Sequence, residues 1–290
     1  MMMSQGTFLE LLDLAARQLG LRADIQLFPQ GEFGPAQIDQ RPTALITLSP
    51  DASIRSDPLF QQVFKRRTNR EAYEAREPAA DALAAITASA VAPKTVTGFV
   101  GGAQSTLRDQ HRQIAMDAWR IELETPRTIL ESYHYLRIGP DEITQHRDGI
   151  SLNKPFVRAV TALGLFDRTQ APAPGDSNVA AQIKEFKAKL ATTPAFFWLT
   201  TQGNSRSAQV LSGRAYARAQ LAATAHGLSM QPLSQALQEY PEQAQPYAAI
   251  HKLVDAPVAT HTVQMWARLG YAPPIAPAPR RGVAAHVMTA

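Results

Sequence analysis

Pro194-Ala195-Phe196-Phe197-Trp198-Leu199-Thr200-Thr201 decides the architecture of this chain. The run is apolar without a break from Ala195 to Leu199, so side chains on both sides of the pleat are hydrophobic. A strand of that kind is covered on both faces, which calls for helices above and below it. Directly downstream, Ser205 to His226 reads as a long helix that stops at Gly227. Upstream, Thr95 to Val100 reads as a strand ending at Gly101-Gly102. Gln104 to Glu124 is an amphipathic helix carrying Leu107, Ile114, Met116, Trp119 and Leu123. Farther on, Gln243 to Val254 reads as a helix and Thr260 to Trp266 as a strand. Helices and strands alternate without a strict βαβ rhythm, and no internal repeat is evident. The expected class is α+β, an α/β sandwich with a sheet between helices.

The N-terminal part continues this pattern. Thr7-Phe8-Leu9-Glu10 has the form of a capping box, and Phe8, Leu11, Leu12, Ala15 and Leu19 follow at helical spacing up to Gly20. Asp24 to Phe28 alternates and stops at Pro29, whereas Thr43 to Leu48 is nearly continuous apolar and reads as a more buried strand. Asp57-Pro58 combines an N-cap acid with proline at the first helical position. The short helix it starts would bury Leu59, Phe60, Val63 and Phe64. Pro78 to Ala90 is an alanine-rich helix. Thr125 to about Asp176 reads as irregular, and a structureless segment of that length implies a functional loop or lid. After Gly270 the chain is proline-rich from Ala272 to Pro279 and extended by composition.

Over 290 residues, 45% are hydrophobic and 19% charged, which describes a core-forming protein. No apolar run approaches the roughly 20 residues that span a bilayer, and no basic stretch precedes an apolar one at the N-terminus. The reading is therefore no membrane and a cytoplasmic setting. The chain has no cysteine, which excludes disulfides, thiolate catalysis and zinc–thiolate sites. The net charge of +4 comes from 29 basic and 25 acidic residues. The excess lies in two short clusters, Arg66/Arg67/Arg70 and Arg280/Arg281. That argues for a local anion site and against nucleic acid, whose binders spread many cations over one face.

Arg66-Arg67-Thr68-Asn69-Arg70 places three guanidiniums and a hydroxyl within five residues, and planar forked donors match phosphate oxygens. Read alone it is equally a solvated basic turn. Ser212 to Leu233 runs from a small-residue helix through Gly227-Leu228 into Met230-Gln231-Pro232-Leu233. Leu269-Gly270-Tyr271-Ala272-Pro273-Pro274 leads to Arg280-Arg281, and a stiff proline arm can deliver arginines to a distant anion. His134, His146, Asp141 and Glu142 have no standard metal-ligand spacing. No nucleophile elbow, phosphate loop of the Gly-x-x-x-x-Gly-Lys-Ser/Thr type or dinucleotide fingerprint is present.

These stretches, in this order, resemble the flavin-dependent nitroreductase family, and over nearly the whole chain its Acg-like branch, here N-terminally shortened. Arg66, Thr68 and Arg70 are similar to the family's Arg-x-Ser-x-Arg/Lys element. The resemblance implies a nitroreductase-like fold over 1–290, with a central, mostly antiparallel sheet flanked by helices. The branch folds two pseudo-symmetric halves into one chain, here about 1–100 and 101–290, with a lid-like insertion near 125–176 that includes His146-Arg147-Asp148-Gly149. It further implies FMN as cofactor and NAD(P)H as electron donor. The acceptor would be a nitro compound, a quinone or another small molecule, and the chain a monomer (pseudo-dimer) or a homodimer. The cofactor-binding residues implied are Arg66, Arg67, Thr68, Arg70, Arg214, Gln231, Pro232, Leu233, Arg280 and Arg281. Arg214 stands as a structural residue or a cofactor ligand. No side-chain acid or base is implied, because the flavin carries the chemistry. The alternative is a non-catalytic descendant that binds or sequesters flavin.

Overall fold

The structure, a computed structural model, describes residues 2–288. Its N-terminal elements are helix α1 (Met2–Gln18), strands β1 (Leu21–Leu27) and β2 (Ala44–Pro50), helix α2 (Ala80–Ser89) and strand β3 (Thr95–Val100). Then come α3 (Ser105–Glu124), α4 (Pro126–His134), β4 (Leu136–Ile138), α5 (Gly139–His146), β5 (Ile150–Leu152) and α6 (Pro155–Ala162). The C-terminal part holds α7 (Ser177–Ala191), β6 (Ala195–Gln202), α8 (Arg206–Ala225), β7 (Ser229–Pro232), α9 (Ala244–Leu253) and β8 (His261–Gly270). The chain divides into two compact units. The first takes the residues up to Asp117 together with Lys187–Pro273, and the second takes Ala118–Phe186 with the chain from Pro274 onward.

The first unit is built on a four-stranded sheet in the order β3-β6-β8-β7, antiparallel throughout. As the apolar run requires, β6 is buried on both faces: Phe196, Phe197 and Leu199 are all solvent-inaccessible. Phe197 and Leu199 face α2 and α8, packing with Ile86, Ala215, Ala219, Ala223, Met230 and Leu269. On the other face His111 of α3 stacks on Phe196 and Trp198, with ring centroids 5.1 and 5.3 Å away. Its Nδ1 accepts a 3.1 Å hydrogen bond from the Trp266 indole. Burial pushes the His111 pKa down to about 4, so the ring is neutral in this aromatic cage. Across the β3–β6 pair Gly98 stands opposite Trp198, and any side chain there would strike the indole.

Helix α1 lies against α8. A Cβ on Gly6 would run into the Val210 carbonyl, and one on Gly213 into that of Met3, so the two glycines are what allow this approach. This contact corrects the expected helix start. The local capping signal at Thr7 is overridden because the helix begins more than a turn earlier, where Met2 is buried, and Gly6 is buried against α8. Thr7 is interior to the helix, and its hydroxyl donates to the Ser4 carbonyl at 2.8 Å. The expectation for Thr43–Leu48 is corrected as well. Strand β2 pairs only with β1 among the described residues, and only its inner face, through Ala44 and Ile46, reaches the cluster around Leu9, Phe28 and Phe33. Leu45 stays 55% exposed, so a continuous apolar run here does not mean burial on two sides.

Strand β8 runs on to Gly270, four residues past the expected end at Trp266, with Arg268 inside it. In the second unit the stretch read as irregular contains α4, α5 and α6 and the parallel pair β4–β5. Elements of three to nine residues are too short to show a period in sequence. Leu123, Ile129, Tyr133 and Val179 form its core with Trp119 and Phe166 packed around them. Arg168 grips Glu142 through two bonds of 2.8 and 2.9 Å.

Candidate functional site

Helix α8 is held at its start by Ser205, whose hydroxyl accepts from the Ala208 N–H at 3.1 Å. It is otherwise an alanine-rich, buried helix, so the large polar side chains past its first turn stand out, and they fall into two pairs four residues apart. Such spacing puts each pair on its own face. On one face, Arg214 donates to Glu10 at 2.8 Å and Asp13 at 2.9 Å, and Arg218 to Glu10 at 2.8 Å and Asp57 at 2.9 Å. Glu10 is nearly inaccessible, and these charge-assisted bonds tie α1 and the Asp57 turn to α8.

The other face carries Tyr216 and Gln220, both 6% exposed. Arg66 Nη1 donates to Gln220 Oε1 at 3.2 Å. With its oxygen engaged, the Gln220 amide presents Nε2. That Nε2 and the Tyr216 hydroxyl are both buried without a hydrogen-bond partner. An unmatched buried donor costs about 1–3 kcal/mol. Two of them beside a guanidinium make a donor-rich cluster that suits an acceptor-rich anion.

The arginine run reaches this place through ordinary local structure. Asp57 Oδ1 accepts from the Leu59 N–H at 2.9 Å at the start the sequence signals, but the element is a 3-10 turn over Pro58–Gln62, and Phe64, expected on its buried face, is 78% exposed; Arg66 N–H closes on Gln62 at 2.9 Å. Asn69 then pins the run. Its buried Nδ2 donates to the Pro273 carbonyl at 2.7 Å, and its carbonyl accepts from the Tyr73 hydroxyl at 3.0 Å. Thr68 forms a single parallel bridge with Met230, so the run lies along the outer edge of β7. Arg70 keeps an exposed surface, although protein crowded around its guanidinium lowers its pKa.

Arg268 completes the cluster from β8. It is fully buried, with its guanidinium 3.9 Å from the Tyr73 ring centre. Nε donates to Gln231 Oε1 at 2.7 Å and Nη2 to the Glu71 carbonyl at 2.6 Å, while Nη1 is buried without a partner. Burial raises the pKa of Tyr73 to about 12 and drives that of Tyr216 up as well, so both hydroxyls keep their protons.

Of the residues expected from sequence, Arg66, Thr68, Arg70 and Gln231 are gathered here, with Pro232 and Leu233 continuing from Gln231; the Leu233 N–H donates to the Trp266 carbonyl at 2.8 Å. Arg67 turns away and donates to the carbonyls of Phe64 and Arg66 at 2.7 and 2.9 Å. Arg214 gives its donors to the two carboxylates described above. Arg280 and Arg281 belong to the second unit, where Arg281 adds to the hydrogen bond from Arg137 in lowering the Asp148 pKa. Tyr216, Gln220, Asn69, Tyr73 and Arg268 were not singled out by sequence as site residues. The first two had a signal, being bulky polar residues four apart on an alanine helix. Arg268 interrupts an apolar strand and so hides the end of the strand that contains it.

A small cavity of about 190 Å³ lies elsewhere, lined by Gln5, Phe8, Leu9, Thr43, Ala44 and Ile46, and no charged group borders it. Among the described residues no helix is long and apolar enough to cross a membrane.

No family model matches the chain, and no curated protein matches it. Among solved structures, it is similar to the FMN-dependent nitroreductase NfnB from Mycobacterium smegmatis in complex with NADPH, at 18% identity over 79% of this chain and 96% of that one, with a TM-score of 0.47. A nitroreductase-like family protein from Bacillus cereus gives 10% identity over 82% and 99% of the two chains, with a TM-score of 0.47. A nitroreductase with bound FMN from Bacteroides fragilis gives 16% identity over 81% and 99%, with a TM-score of 0.42.

Proposed function

We propose that this chain is an FMN-dependent NAD(P)H oxidoreductase of nitroreductase type, in the Acg-like branch that its sequence resembles, and that Arg66, Tyr216 and Gln220 hold the flavin phosphate. The observation that carries this reading is the pair of orphaned buried donors on α8 beside the Arg66 guanidinium. A phosphomonoester near neutral pH offers mainly acceptors, three terminal oxygens and about 1.5 to 2 negative charges, and the cluster offers unmatched donors, the Gln220 amide N–H and the Tyr216 hydroxyl, beside a guanidinium. The fit is therefore one of chemistry as well as charge. Arg70 adds a second guanidinium from the same run, and Thr68 a hydroxyl. The strand that continues from Met230 through Gln231 and Pro232 to Leu233 lies beside the run and supplies an edge along which a flat ring can rest.

When bound, FMN would supply the redox chemistry, hydride acceptance from NAD(P)H and electron transfer to a nitro, quinone or other small acceptor. The residues of the chain anchor, orient and desolvate. Arg66 and Arg70 would neutralise the phosphate and Gln220 and Tyr216 would fix its rotation, while Asn69 and Tyr73 keep the run against β7. No side chain needs to move a proton.

Adding FMN to the purified protein, removing the unbound flavin and recording the visible spectrum tests the reading. A yellow protein that oxidises NADH or NADPH when a quinone or nitroaromatic is supplied is the expected result. A yellow protein with no turnover would support flavin sequestration instead, and a colourless one would sink both.

A further inference from the structure

Gln231 and Arg268 stand directly opposite each other in the β7–β8 pair, so their side chains leave the sheet on the same face. Arg268 is the more demanding of the two. A guanidinium with no solvent access requires hydrogen bonds for its donors, and here Nε takes Gln231 Oε1 at 2.7 Å and Nη2 takes a main-chain carbonyl at 2.6 Å. The consequence for Gln231 is chemical. A glutamine amide offers one acceptor oxygen and one NH₂ donor group. With the oxygen held by a buried cation, the amide is locked against flipping, and its Nε2–H groups are what it has left to offer.

Gln231 itself is only half-buried, on the outermost strand of the sheet, next to the Met230 that bridges Thr68. Its donor therefore sits on the strand that borders the arginine run. We infer that Arg268 is a positioning residue that fixes Gln231 as a hydrogen-bond donor to a ligand lying along β7, an acceptor-bearing heteroaromatic edge such as the pyrimidine ring of the flavin. This inference rests on the flavin reading above and names residues within it. An aliphatic side chain in place of Arg268 would pack against Tyr73 without a desolvation cost, and it would leave the Gln231 amide free to present either end.

Gln231→Glu separates a structural role from this one. Glutamate keeps an acceptor for Arg268, now charged, but has no donor to give. FMN titration, the unfolding midpoint and the long-wavelength flavin absorption band are measured for wild type, Gln231→Glu and Gln231→Met. The expected result is that Gln231→Glu unfolds at or above the wild-type midpoint, binds FMN about 10-fold more weakly and shifts the flavin band. Gln231→Met, which also loses the acceptor, weakens FMN by a similar factor and is less stable. If both variants bind FMN within about twofold of wild type with an unshifted band, a difference of under half a kcal/mol, Gln231 serves only Arg268 and the inference is wrong. A wild-type protein that takes up no FMN overturns the flavin reading and this inference together, which is a different result from equal binding by all three proteins.

Discussion

The two polar faces of α8 use arginine in opposite ways. Arg214 and Arg218 are met by carboxylates from Glu10, Asp13 and Asp57, and every one of those bonds joins α8 to another part of the first unit. Arg66, reaching the adjoining face, is met by the Gln220 amide and lies beside the Tyr216 hydroxyl. The first arrangement is closed: each guanidinium meets two carboxylates, and donors find acceptors. The second accumulates donors, two of them buried and unmatched. Residue type alone does not separate a strut from a binding group. The partner's charge and the completeness of the hydrogen bonding do.

The largest effect should come from opening the closed face. Glu10→Ala leaves two arginines without their shared carboxylate and is expected to lower unfolding stability by about 3 kcal/mol, the low end for a buried pair because both arginines are partly exposed. Denaturant unfolding measures it, and a loss below about 1 kcal/mol, the level of an exposed pair, would erase the contrast between the faces. Removing the cations of the open side should act on binding instead. Arg66→Ala with Arg70→Ala is expected to weaken FMN about 100-fold while leaving the unfolding midpoint of the flavin-free protein near wild type. A comparable fall in that midpoint would make these arginines struts too.

Tyr216→Phe sharpens the comparison further. Deleting an orphaned buried hydroxyl should stabilise the flavin-free protein by about 1 kcal/mol and weaken FMN about 10-fold. A hydroxyl with a hidden structural partner would instead lower stability. The smallest expected effect is none. Burial raises both tyrosine pKa values, that of Tyr73 to about 12, so the hydroxyls stay protonated and FMN affinity should be flat from about pH 8 to pH 10. A fall in affinity with a midpoint near the ordinary tyrosine value of about 10 would show that a tyrosine of ordinary acidity governs binding.

The elements that sequence made legible are those with one dominant local signal. The buried run of β6, the Asp57-Pro58 cap and the Ser205 start of α8 are all in place. Signals that depend on a distant partner were misread or missed. The capping box at Thr7 is real as a pattern but yields to α8 packing, which no local window contains. The strand read from sequence stops at Trp266, short of Arg268, because charge in a central strand is rare, and only the pairing with Gln231 and the Tyr73 ring explains the arginine. Half of the proposed anion site was readable as Arg66, Thr68 and Arg70. The other half, Tyr216 and Gln220, lies about 150 residues away along the chain, and its meaning depends on which neighbours leave its donors unmatched.

The most direct measurement is a parallel titration of the flavin-free protein with FMN and with riboflavin, which differ only in the phosphate. FMN is expected to bind at least about 100-fold more tightly, the equivalent of about 2.7 kcal/mol contributed by the phosphate contacts. Equal affinities for the two flavins, or binding of neither, would contradict the assignment of Arg66, Tyr216 and Gln220 as its phosphate site.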